Sequence, residues 1–89
     1  MLNKTVTINN KLGLHARAAA KFVMLASKYE CEIELKRDER TVNGKSIMGV
    51  MLLAAAKGTN LEIFTRGNQE EEAMEALCKL IDNKFDEGE

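Results

Sequence analysis

The sequence predicts an α+β fold: an open-faced β-sandwich in the order β-α-β-β-α-β-α, with a four-stranded antiparallel sheet and three helices on one face. Three observations lead there. Segments with a two-residue apolar period alternate along the chain with segments of helical period. A strand-helix-strand unit is followed by a short return strand, the arrangement of a split β-α-β sheet. And 89 residues suffice for one small core, so a single domain over residues 1–89 is expected, without repeats, low-complexity segments or a linker.

The elements follow in order. Leu2 to Ile8 alternates, with Leu2, Val6 and Ile8 on one face, and predicts a half-buried strand. Asn9-Asn10-Lys11 breaks it, and Gly13 allows an unusual backbone angle. A helix is predicted from about Ala16 to Ser27, with Ala19, Phe22, Val23 and Ala26 facing the core at i, i+3, i+4 and i+7. Ala16, Ala20 and Met24 make a second apolar stripe on its more exposed side, either a widening of the core face or a docking surface. Cys31, Ile33 and Leu35 alternate with charged residues as a strand with one wet face. Asp38-Glu39 turns the chain into a short strand, Arg40 to Asn43, and Asn43-Gly44 is a strong turn signal. Lys45-Ser46 opens a short helix with Ser46 as N-cap, and Lys57-Gly58 ends that segment. Ile47, Val50 and Leu53 are expected to point inward, and Met48, Met51 and Leu52 at least partly outward. Leu61, Ile63 and Thr65 belong to the fourth strand, which Gly67 breaks. The last helix is expected from Gln69 or Glu70 to Asn83 or Lys84, with Ala73, Leu77, Leu80, Ile81 and Phe85 as its core face. Glu70, Glu71 and Glu72 suit its positive end. Asp86-Glu87-Gly88-Glu89 reads as a solvated, frayed acidic tail.

Composition narrows the function. The formal net charge of −1 argues against broad nucleic-acid binding, which needs a basic excess. Phe64 beside Arg66 is too little for an RNA-binding sheet. No apolar run approaches the ~20 residues of a membrane span, and the start of the chain lacks a secretion-signal pattern, so a cytoplasmic location is expected. The two cysteines, Cys31 and Cys78, fit no metal-ligand spacing and read as reduced, space-filling thiols. A lone histidine cannot hold zinc, and there is no nucleotide loop of the P-loop type, so neither metal nor cofactor is expected.

That histidine is the informative residue. In Gly13-Leu14-His15-Ala16-Arg17, His15 sits where a strand has ended and a helix begins. A helix N-terminus offers unpaired N–H groups and a partial positive charge to an anion. Arg17 adds a planar fork of donors suited to phosphate, and a neutral imidazole is a nucleophile near neutral pH. Together these read as a site that accepts a phosphoryl group and passes it on.

The same five residues resemble the active-site motif of the histidine-containing phosphocarrier proteins (HPr) of the bacterial phosphotransferase system. Asn43-Gly44-Lys45-Ser46-Ile47-Met48-Gly49-Val50-Met51 resembles the regulatory-serine segment of that family, and the likeness covers essentially the whole chain. The resemblance implies phosphorylation of His15 on Nδ1, the ring nitrogen nearer the backbone, beside the N–H groups of Ala16 and Arg17. It also implies enzyme I, charged from phosphoenolpyruvate, as donor, and EIIA-type proteins as acceptors. The chain would thus be a carrier rather than an enzyme, and a monomer is expected. By the same resemblance Ser46 is a regulatory phosphorylation site for the HPr kinase/phosphorylase as well as a helix cap. Partners would dock on Ala16, Ala20, Met24, Ile47, Met48, Met51 and Leu52. The competing reading is a binding-only regulatory module that uses the same helical face; loss of His15 or Arg17 would mark it, and both are present. Asn10-Lys11-Leu12-Gly13 and Gln69-Glu70-Glu71-Glu72-Ala73 are also similar to the nitrogen-regulatory paralogue, which leaves both branches open. One residue departs from the family: Ala18 stands where a proline usually follows the arginine. In a first helical turn a missing N–H costs little, so the helix is expected to survive the exchange, at about 0.4–1 kcal/mol through the unfolded state.

Overall fold

The computed structural model describes residues 1–87. Its elements are β1 (Leu2–Thr7), α1 (Ala16–Ala26), β2 (Glu32–Arg37), β3 (Arg40–Asn43), α2 (Ile47–Leu52), β4 (Asn60–Arg66) and α3 (Glu70–Asp82), followed by one short turn of 3₁₀ type at Lys84–Asp86. The sheet is antiparallel throughout, in the order β1-β4-β2-β3. The last strand therefore enters between the first two, as a split β-α-β unit requires. Register is set by burial. Val6 opposite Leu61, and Leu35 opposite Ile63, share the covered face, and a slip by one residue would turn that set to solvent.

The three helices close this face. Ala19, Phe22, Val23 and Ala26 of α1, and Ala73, Leu77 and Ile81 of α3, meet Ile33, Leu35 and Ile63 in one apolar cluster. Cys31 and Cys78 are buried in it as free thiols. Burial raises the Cys78 thiol above its ordinary value, which keeps it protonated and inert.

Four expectations are corrected. Ile47 is 43% exposed and does not point inward, whereas Val50 and Leu53 are buried; a helix of six residues has room for only a narrow inner face. The second helix stops at Leu52, well short of Lys57-Gly58. Ala54 adopts a left-handed φ of 49°, and the freed carbonyls are taken by arginines: Arg37 Nη1 donates to Leu53 O at 2.7 Å and Ala54 O at 2.9 Å, and Arg40 Nη1 donates to Leu52 O at 2.9 Å. Phe85 is fully buried but is not on α3. It reaches the core because Lys84, Phe85 and Asp86 all turn left-handed, with φ of 56°, 54° and 61°. Of the acidic tail, finally, Asp86 is exposed as expected, but Glu87 is half-buried and bonds His15; Gly88 and Glu89 lie outside the described residues.

Candidate functional site

The site is assembled at the entry to α1. Gly13 has a φ of 69°, and a Cβ there would lie 2.6 Å from Ala55 O, so only glycine lets the chain cross so close. Leu14 N–H then donates to Ala55 O at 2.8 Å, and the buried Leu14 side chain pins the segment. His15 follows as the N-cap of α1, with φ −76° and ψ 178°. Its C=O accepts the first helical bond, from Ala19 N at 2.8 Å, and its side chain makes no capping bond. The ring is therefore not engaged by its own helix. The N–H groups of Ala16, Arg17 and Ala18 have no backbone acceptor among the described residues, and no acidic residue occupies the first turn. A positive helix end, with no acidic residue in its own first turn, lies behind the imidazole.

Arg17 is exposed and has no carboxylate within 4 Å among the described residues. With Leu12, His15, Lys21, Asp86 and Glu87 it lines an open cleft of about 600 Å³. A larger cleft of about 780 Å³ lies between β2, β3 and the end of α2. It contains neither His15 nor Ser46, and its arginines are engaged in capping α2.

Three residues that sequence reasoning did not assign complete the site. Glu87 Oε2 lies 2.5 Å from His15 Nε2, with the two side chains 13% and 28% exposed. Asn10, fully buried, donates from Nδ2 to Gly13 O at 2.7 Å and to Glu87 Oε1 at 3.0 Å. Lys21 Nζ donates to Phe85 O at 2.7 Å. Burial pushes the Glu87 carboxyl up, but the bonds from Asn10 and His15, with the charges of His15 and Lys21, outweigh it and hold it below the usual carboxylate range. No sequence period could have shown this, because Glu87 reaches His15 through the left-handed turn and not along a helix or strand. Asn10 did carry a signal, since an asparagine three residues before a positive-φ glycine is suited to bond local backbone.

Ser46 caps α2: its extended backbone and its Oγ, which accepts from Gly49 N at 3.1 Å, match the expected N-cap. Beside it, Lys45 Nζ donates to Tyr29 O at 2.6 Å, tying this start to the end of α1. Of the apolar residues singled out, Met24, Ile47, Met48, Met51 and Leu52 are exposed, with Met48 the most open at 77%. Ala16 is exposed and Ala20 half-buried. Leu12, 68% exposed at the mouth of the His15 cleft, is an unforeseen addition. Ala18 is fully buried in the first turn, and its N–H has no backbone acceptor among the described residues, so the helix forms without the family's proline.

Arranged in this way, the imidazole can act as a nucleophile toward an electrophile whose negative oxygens settle on the helix end and Arg17. Comparison with known proteins identifies the family. Residues 2–83 match the PTS-HPr family model, described as the PTS HPr component phosphorylation site. The chain is 62% identical over 85 residues to the phosphocarrier protein HPr of Pseudomonas aeruginosa, covering 94% of each chain. It is also 41% identical over 86 residues to the phosphocarrier protein NPr of Shewanella violacea, covering 97% of this chain and 94% of that one. The crystal structure of HPr-C-His from Thermoanaerobacter tengcongensis superposes with a TM-score of 0.94 at 47% identity, over 98% of both chains. The family match spans residues 2–83, with His15, Arg17 and Ser46 inside it, and the chain is therefore a member of the HPr phosphocarrier family of the phosphotransferase system.

Proposed function

We propose that this chain accepts a phosphoryl group on Nδ1 of His15 from enzyme I and hands it to EIIA-type proteins. The observation that carries the reading is the imidazole capping a helix whose first N–H groups lack backbone acceptors among the described residues, with Arg17, which makes no ion pair among them, in the same cleft. The Nδ1 lone pair attacks phosphorus as the bond from phosphorus to the donor breaks, and that bond's electrons stay with the donor. The backbone N–H groups of Ala16 and Arg17, with the Arg17 fork, then meet the phosphoryl oxygens. The cleft is open rather than deep, which suits a group that must leave again. The chain needs no cofactor for this, and the partners complete the chemistry.

Partners dock, in this reading, on Ala16, Ala20, Met24, Ile47, Met48, Met51 and Leu52. α1 and α2 pack against one another and carry exposed methionines that adapt to several surfaces. Ser46 is a switch as well as a cap. A phosphate there, added by an HPr kinase/phosphorylase, would suit the helix start and at the same time put charge beside the docking methionines. The carrier works as a monomer in the cytoplasm. No helix among the described residues is long and apolar enough to cross a membrane. The test is to incubate the chain with enzyme I and phosphoenolpyruvate, then with individual EIIA proteins. One added phosphoryl group that at least one EIIA discharges is expected, and the discharging EIIA names the branch. Binding to enzyme I without phosphoryl uptake would favour the binding-only regulator instead.

A further inference from the structure

The contact left unused by this chemistry is the one on the far side of the ring. A carboxylate can only accept hydrogen bonds, so the 2.5 Å contact with Glu87 Oε2 requires the proton to sit on His15 Nε2. In a neutral imidazole the lone pair is then on Nδ1. The contact is built rather than incidental. Phe85, fully buried, anchors the segment; Lys21 holds the Phe85 carbonyl at 2.7 Å; and buried Asn10 orients the second carboxylate oxygen at 3.0 Å. Three successive non-glycine residues take left-handed φ angles to deliver Glu87, and strain of that kind persists only where the surroundings over-determine it.

We propose that Glu87 is the positioning residue of the carrier: it holds the His15 proton on Nε2 before and after transfer, which frees Nδ1 to attack and supplies the counter-charge to the phosphorylated ring. This rests on the carrier reading. When Nδ1 forms its bond to phosphorus, the neutral ring becomes a cation that still bears the Nε2 proton, and the pair of the bond broken at the donor stays with the donor. When the group leaves for an acceptor, the P–N electrons return to Nδ1 and the ring is neutral again, with the same proton on Nε2. No proton has to enter or leave at either step, and the Glu87 carboxylate faces the ring while it is charged. The other charged groups lining the cleft are Arg17 and Lys21, which oppose a cationic ring, and Asp86, which favours it.

The experiment uses the full chain labelled with ¹⁵N-histidine, as wild type, Glu87→Gln and Glu87→Ala. Ring-nitrogen shifts read the tautomer before phosphorylation, and discharge to an EIIA protein is followed against pH afterwards. Wild type is expected in the Nε2-protonated tautomer alone. Glu87→Gln keeps an acceptor and should keep that tautomer, but without the charge its discharge should fall off about one pH unit lower, roughly tenfold slower at pH values above that fall. Glu87→Ala should show the same pH shift together with a mixture of tautomers. An unchanged tautomer and pH profile in Glu87→Ala overturns the proposal. Faster transfer in that variant overturns it too, because Glu87 would then be a shield. If wild type takes up no phosphoryl group, the carrier reading fails, and the tautomer measurement alone still decides whether Glu87 positions the proton.

Discussion

At the scale of single residues, the proposed carrier chemistry divides the site into groups that would touch the moving phosphoryl and groups that would hold the ring. Arg17 belongs to the first. It is exposed, so Arg17→Ala is expected to change stability by less than ~0.5 kcal/mol while slowing transfer from enzyme I by about 10²-fold or more. Arg17→Lys should recover only part, since a point charge replaces a fork. Melting curves alongside single-turnover transfer check the pair; equal transfer in wild type and Arg17→Ala would leave the backbone cradle sufficient. Glu87 belongs to the second group and adds a pH signature. Its carboxyl is held below the usual range in the folded chain, so its contribution is present above the unfolded value of about 4.3 and is lost as pH falls through the lower folded value. Urea titrations across the acid range should therefore show a shallower loss of stability in Glu87→Gln than in wild type; parallel curves would mean that the contact does not persist in solution. His15 and Arg17 were legible in the sequence because their chemistry is local: a strand end, a glycine and a helix start fix where they stand. Glu87 was not, because 72 residues separate it from His15 and only the packing of Phe85 brings them together.

At the scale of elements, α2 is the informative case. It is six residues long, too short to hold by propensity, so its two ends decide its fate. The start was readable, since an Asn-Gly turn followed by a serine is a local signal. The end was not: the carbonyls of Leu52, Leu53 and Ala54 are captured by Arg37 and Arg40 from neighbouring strands, and that depends on topology. Ser46→Ala is expected to cost about 1 kcal/mol through the lost cap and to leave the transfer rate unchanged. Ser46→Asp should melt no lower than wild type yet accept phosphoryl groups from enzyme I more slowly, because the charge helps the helix start and hinders docking. Melting temperature and enzyme I transfer rate on both variants separate cap from switch; unchanged transfer in Ser46→Asp would leave Ser46 a cap only. On α1, Ala18→Pro meets an N–H that already lacks a helical acceptor, so a gain of about 0.4–1 kcal/mol is expected in denaturant melts. A loss instead would mean that the buried position cannot house the ring.

At the scale of the whole molecule, one core serves two purposes. The layer of Phe22, Ile63, Leu77 and Ile81 holds sheet and helices together, and Phe85 extends it to the turn that closes over His15. The alternation of β2 and β4 and the helical spacing of α1 and α3 made most of that layer legible. Phe85 was seen as core but given to the wrong element, because helical spacing continues past Asn83 while the backbone does not. Phe85→Ala should cost about 3–5 kcal/mol and also release Glu87, so it is expected to reproduce the tautomer mixture of Glu87→Ala. A destabilised variant with an intact Nε2 proton would uncouple the two purposes. The proposed carrier chemistry turns on one atom, Nδ1 of His15. Phosphorus–nitrogen correlation NMR on the ¹⁵N-histidine-labelled chain, after reaction with enzyme I and phosphoenolpyruvate, reads that atom directly. A single phosphorus coupled to Nδ1 of His15, labile in acid, stable in base and absent from His15→Ala, is the expected result; phosphorus on Nε2, on a hydroxyl oxygen, or retained in His15→Ala would contradict it.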